Sequence, residues 1–94
     1  MTEQDMKDIA AICRMKAFVA EHGLGEVSLH FDKRWCCQMS HPKIENDRFL
    51  PTHWDDRLDL AIQSCIAEAH ALLLRWDRGQ PLPKWINRLT PSAD

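Results

Sequence analysis

The sequence predicts a small α+β domain: a helix, an antiparallel β-hairpin with room for a short third strand, and a long second helix, with both helices on one face of a small sheet. Three observations predict it. Apolar side chains recur at helical spacing over residues 3–22 and again over residues 52–78. Between them, two runs of alternating apolar and polar residues flank Asp32-Lys33-Arg34. The chain has 94 residues, 45% apolar and 28% charged, with a formal net charge of −2. That suits one domain over residues 1–79, followed by a Pro-punctuated tail over residues 80–94 that is read as packing back on the domain. A chain this short buries roughly 60–65% of its unfolded surface, enough for one modest core.

Thr2 is placed to cap the first helix, with Asp5 three residues on as a loose capping box. Met6, Ile9, Ala10, Cys13, Ala17 and Ala20 then form one apolar face and are expected to point into the core. Ile12, Met15 and Val19 widen the stripe, so this helix should be covered on more than one side. It should stop at His22, with Gly23 as a left-handed cap and Leu24 completing a Schellman ending.

Glu26 to Phe31 alternates, with Val27, Leu29 and Phe31 on one face, and Trp35 to Ser40 alternates with Trp35, Cys37 and Met39 together. Pairing residue i with residue 66−i puts every large apolar side chain on one face; a slip of one residue mixes the faces. This register predicts a three-residue hairpin loop, with Glu26, Ser28, His30, Cys36, Gln38 and Ser40 on the outer face. Pro42 ends the second strand, because it donates no ladder hydrogen bond. Arg48-Phe49-Leu50 reads as the short third strand.

Thr52 is read as the cap of the second helix, again with an aspartate, Asp55, three residues on. Trp54, Leu58, Ala61, Ile62, Cys65, Ala69, Leu72, Leu73 and Trp76 form the strongest periodic pattern in the chain. Asp55, Asp56 and Asp59 near its start, and Arg75 and Arg78 at its end, suit the helix dipole. Gly79 and Pro81 stop it. In the tail, Trp85, Ile86 and Leu89 suggest one helical turn after Pro83.

No apolar run approaches the ~20 residues a membrane helix needs, and the N-terminus lacks the features of a signal peptide. The chain is therefore expected in the cytoplasm, with its four cysteines reduced. Cys13, Cys37 and Cys65 fall on predicted core faces as small hydrophobes. His30 and Cys36 would face each other across the hairpin, which is half of a zinc or thiol site; no C-x2-C or H-x3-H pair completes it, and no metal or cofactor is expected. The aspartates are explained by the helix start. Gly23 and Gly25 precede a strand, the reverse of a phosphate loop. No catalytic constellation emerges.

Residues 32–54 carry four basic and three acidic side chains, residues 55–77 two basic and five acidic. A basic hairpin tip at Lys33 and Arg34 thus stands against the acidic Asp55, Asp56 and Asp59, which fits a protein partner better than nucleic acid. Of the four tryptophans, Trp35 and Trp54 have core slots, whereas Trp76 and Trp85 are candidates for a binding surface, since tryptophan is favoured at hot spots. A small sheet with open edges also makes a homodimer plausible, through an edge strand or the projecting end of the second helix.

In element order over residues 3–77 the chain resembles the double-stranded-RNA-binding domain. That family reads RNA partly with a basic start to its last helix. Here Thr52-His53-Trp54-Asp55-Asp56 stands at that place, acidic and repellent to phosphate. In size and style the chain is also similar to small accessory proteins of phages and mobile elements, including anti-CRISPR-type inhibitors. These readings converge on a small non-catalytic protein-binding module that acts on a larger protein or complex through Trp76, Trp85, Lys33, Arg34, Asp55, Asp56 and Asp59. The alternatives are nucleic-acid binding through Lys33, Arg34, Lys43 and Arg48, and a metal or thiol site at His30 and Cys36.

Overall fold

A computed structural model of the chain describes residues 1–45 and 47–82. The order is α1 (Glu3–His22), β1 (Val27–Asp32), β2 (Arg34–Met39), β3 (Thr52–Asp55) and α2 (Leu58–Asp77). The strands form an antiparallel sheet in the order β1-β2-β3. Helix α2 lies across β2 and β3, and α1 lies against α2. Among the described residues no helix is long and apolar enough to cross a membrane.

The ends of α1 follow local chemistry. The Asp5 amide donates to Thr2 Oγ1 at 3.0 Å and the Thr2 amide donates to the Asp5 carboxylate at 3.1 Å, a complete capping box. Gly23, at φ +63°, turns the chain out, and the Leu24 amide donates to the Val19 carbonyl at 3.1 Å. A side chain at that φ would be strained, so glycine fits. Gly79, at φ +70°, ends α2 the same way: its amide donates to the Trp76 carbonyl and that of Gln80 to Arg75.

The face of α1 that enters the core is not the predicted one. Ala11, Met15 and Phe18 are buried, flanked by half-buried Ile12 and Val19. Met6, Ile9, Ala10, Cys13, Ala17 and Ala20 all face solvent. Both faces are apolar at helical spacing. The inward one carries the bulkier side chains and lets Met15 reach the Cys37 thiol, whose sulfur lies 3.9 Å from Met15 Sδ.

The hairpin register is the predicted one, Val27 opposite Met39, Leu29 opposite Cys37 and Phe31 opposite Trp35. The ladder runs on to Asp32 opposite Arg34, so Lys33 alone turns the chain, at φ +65°. The third strand lies four residues later than expected. Thr52–Asp55 pairs with β2, Cys36 opposite Trp54 and Cys37 opposite His53. Thr52 does not cap a helix; its hydroxyl donates to the Leu50 carbonyl and accepts from Gln38 Nε2. Strand β2 is central and its free edge needs a partner, and Thr-His-Trp suits a strand. α2 therefore starts at Leu58, with Arg57 as N-cap and no side-chain cap. Residues 48–50 form no strand. They serve instead to seat Phe49, which is fully buried. The core also takes in Leu82 from the segment after α2, whose carbonyl accepts from Arg48 at 3.1 Å.

Asp59 ties the starts of the two helices together. It is buried, and its carboxylate accepts from Gln4 Nε2 at 3.0 Å and from Arg57 at 2.9 and 3.2 Å. Burial alone would raise its pKa, but the bonds from Arg57 and Gln4 outweigh it and hold the carboxyl below the usual range. A carboxyl depressed on folding stabilises above its unfolded pKa of about 3.9, and that stability is lost as pH falls through the folded value. Asp59→Asn should therefore flatten the acid limb of a stability-versus-pH curve from urea titrations, and cost about 1–3 kcal/mol at pH 7.

Candidate functional site

The alternation of β1 and β2 places His30 and Cys36 on the outer sheet face, and the register of β3 adds Trp54 beside them. β1 and β3 flank β2, about 9–10 Å apart. The His30 and Trp54 rings nevertheless meet edge to face, centroids 5.3 Å apart at 86°. They must reach over β2 to do so, and Cys36 is buried beneath them, 1% exposed. Burial, and secondarily the neighbouring Cys37, pushes the Cys36 thiol pKa up. That disfavours the thiolate a nucleophile or metal ligand needs. Among the described residues no three His, Cys, Asp or Glu side chains are grouped to hold a metal ion.

The other thiols divide clearly. Cys37 and Cys65 are buried together in the core, and Cys65 donates to the Pro51 carbonyl at 3.3 Å. The contact between them pushes the Cys65 pKa up. Cys13, expected inside, is exposed on α1. In solution dilute enough that the chain is a monomer, a maleimide should label one thiol rapidly under native conditions, at Cys13, and the other three only in denaturant; mass spectrometry reads the stoichiometry.

The charged candidates are partly consumed by one another. Arg34 pairs with Asp56, Nε to Oδ1 at 3.2 Å, which joins the hairpin tip to the acidic segment directly. Asp55 accepts from the Arg57 amide at 2.9 Å, and Asp59 is buried. Of the acidic trio, Asp56 is exposed, Asp55 half-buried and Asp59 buried, and Lys33 stands exposed at the hairpin tip. Trp85 lies outside the described residues.

Trp76 is different. It sits in the last turn of α2, 46% exposed, with its ring 6.3 Å from that of His41. It walls two adjoining clefts. One, of about 430 Å³, is bounded by Lys43, Ile44, Glu45, Arg48, Gln80, Pro81 and Leu82. The other, of about 330 Å³, is bounded by His22, His41, Leu73 and Asp77. The Schellman ending at Gly79 folds Pro81 and Leu82 back toward the connection after β2, and this builds the first cleft. Burial, more than the nearby Lys43, lowers the pKa of His41, which favours the neutral imidazole next to the indole.

Periodicity gave no sign of two features. His53, read as part of a helix, projects from β3 toward α2, where its Nε2 lies 2.5 Å from Glu68 Oε1. The second is that the apolar face of α1 through Met6 and Ile9, which periodicity placed in the core, is exposed. No family model matches this chain, and neither a curated protein nor a solved structure matches it.

Proposed function

We propose that the chain is a small non-catalytic protein-binding module whose partner docks at the end of α2. The observation that carries the reading is Trp76, an indole nearly half exposed between two clefts. Such a residue offers large apolar area, one hydrogen-bond donor and little conformational freedom to lose, which is why tryptophan dominates hot spots. The first cleft has an apolar floor of Ile44, Pro81 and Leu82 and a charged rim of Lys43, Glu45 and Arg48, the last bonded to the Leu82 carbonyl. A partner segment with an apolar anchor and a carboxylate placed to meet Lys43, which borders both clefts, complements it. The raised thiol of Cys36 and the mutual pairing of Arg34 with Asp56 weigh against the thiol-site and nucleic-acid readings. Four unpaired cysteines suit a reducing compartment. In this reading the chain works by occupying a surface of a larger protein or complex, as an adaptor or inhibitor does.

Affinity capture from the source cells, with wild type and Trp76→Ala in parallel, tests it. The wild type should retain a partner that Trp76→Ala loses, while the variant's melting temperature stays within a few degrees, as expected for an exposed side chain. Equal capture by both would refute the site.

A further inference from the structure

The outward face of α1 carries an inference independent of Trp76. Ile9, Ala20, Cys13, Met6, Ala17 and Ala10 fall within one arc of about 100° along a helix about 30 Å long. No charged residue lies inside that arc. Met6 is 61% exposed and Ile9 48%, and no described element covers them. A helix is stable with one apolar stripe against its own domain; α1 has that stripe in Ala11, Met15 and Phe18, and a second one opposite.

We propose that this second stripe binds the same stripe of a second copy, with the two α1 helices antiparallel about a two-fold axis at Cys13. Volume argues for it. The large side chains, Met6 and Ile9, lie in the first half of the stripe, and the small ones, Ala17 and Ala20, in the second. Antiparallel pairing about Cys13 brings the same edges of the stripe together, so Ile9 lies toward the second copy's Ala20 and Met6 toward the second copy's Ala17, large on small. Parallel pairing sets Met6 on Met6 and leaves a gap at the alanines. Alanine and cysteine near the axis let the helices approach to the short end of the usual 8–10 Å.

Charge argues the same way. Glu3, Asp5 and Lys7 border the first half of the stripe and sum to −1; Lys16 and Glu21 border the second and cancel, while Arg14, one residue from the axis, extends into solvent beside its own counterpart. Antiparallel pairing keeps the two acidic halves apart, and parallel pairing joins them. Asp5 and Lys16 border the same side, so each lies toward its opposite on the second copy. On the other side Glu21 meets Glu3 and Lys7 together, which cancel. The contact is isologous and closes at two copies. It would carry two Trp76 clefts on one particle, so a partner with repeated sites would be held by both.

The test is light scattering behind size exclusion across a concentration series, with oxidation to a Cys13–Cys13 disulfide as the cross-linking probe of the axis. Wild type should be a dimer, cross-linked through Cys13 alone. Ile9→Arg and, separately, Ala17→Glu should weaken the dimer at least about thirtyfold, the size of a hot-spot loss, and abolish the cross-link. Both sites face solvent in the monomer, so melting temperatures measured at monomer concentrations should hold. A monomer at every concentration overturns the proposal. So does a dimer that survives both substitutions, which would place the contact elsewhere, for example at the β1 edge. A dimer broken by them but never cross-linked at Cys13 overturns the antiparallel axis. None of these outcomes bears on the Trp76 cleft, which the capture experiment judges separately.

Discussion

Ile62→Asp is expected to leave the chain without a cooperative thermal transition. Ile62 is fully buried, in the stretch of α2 that crosses the sheet. A carboxylate there loses its water. The charged neighbours on α2, Asp59 and Glu68, are acidic and already engaged with Arg57 and His53. An unpaired buried charge costs more than most small domains possess, since their whole stability is about 5–15 kcal/mol. If the carboxyl is protonated instead, it still gives up a buried apolar side chain and leaves polar groups without partners. Near-ultraviolet circular dichroism on heating should show no sigmoidal loss. A transition within about 10 °C of wild type would mean that the centre of α2 is not the core.

Phe49→Ala is expected to cost about 3–5 kcal/mol, the usual loss for a phenylalanine truncated in a core. Phe49 belongs to no helix or strand, yet it is fully buried and is the largest such side chain among the described residues. Its ring meets that of His41, centroids 5.5 Å apart. It therefore pins the connection between β2 and β3 onto the core, and its loss leaves a cavity that the helices cannot close. Urea titration should show a lower midpoint with an unchanged slope. Phe31→Ala is the control. Phe31 is 59% exposed at the hairpin tip, and its truncation should cost well under half as much.

Much of the fold was legible because local rules and tertiary demands agree. The Thr2–Asp5 box and Gly23 set both ends of α1, and the alternation in β1 and β2 allowed one register. The third strand was hidden because Thr52 and Asp55 repeat the same cap spacing, and only the open edge of β2 decides between strand and helix there. The orientation of α1 was hidden for another reason. Periodicity locates apolar faces, and α1 has two; which one packs depends on Met15 and Phe18 finding the sheet and α2. Cys36 was rightly placed on the outer face, but its burial needs Trp54 from β3, so that protection became readable only once β3 was placed. Trp76 stood out in the sequence by being at the end of a helix that outruns the hairpin. Its clefts did not, because they are built by Pro81 and Leu82 folding back after Gly79.

The central claim is that Trp76 is a binding residue rather than a structural one. Titration calorimetry with the purified captured partner tests it most directly, using wild type and Trp76→Ala at matched folded fraction. The expected result is an affinity at least about thirtyfold lower for Trp76→Ala, a loss of about 2 kcal/mol, with the two melting curves superimposed. Equal affinities, or a loss explained by a collapse in melting temperature, would contradict it.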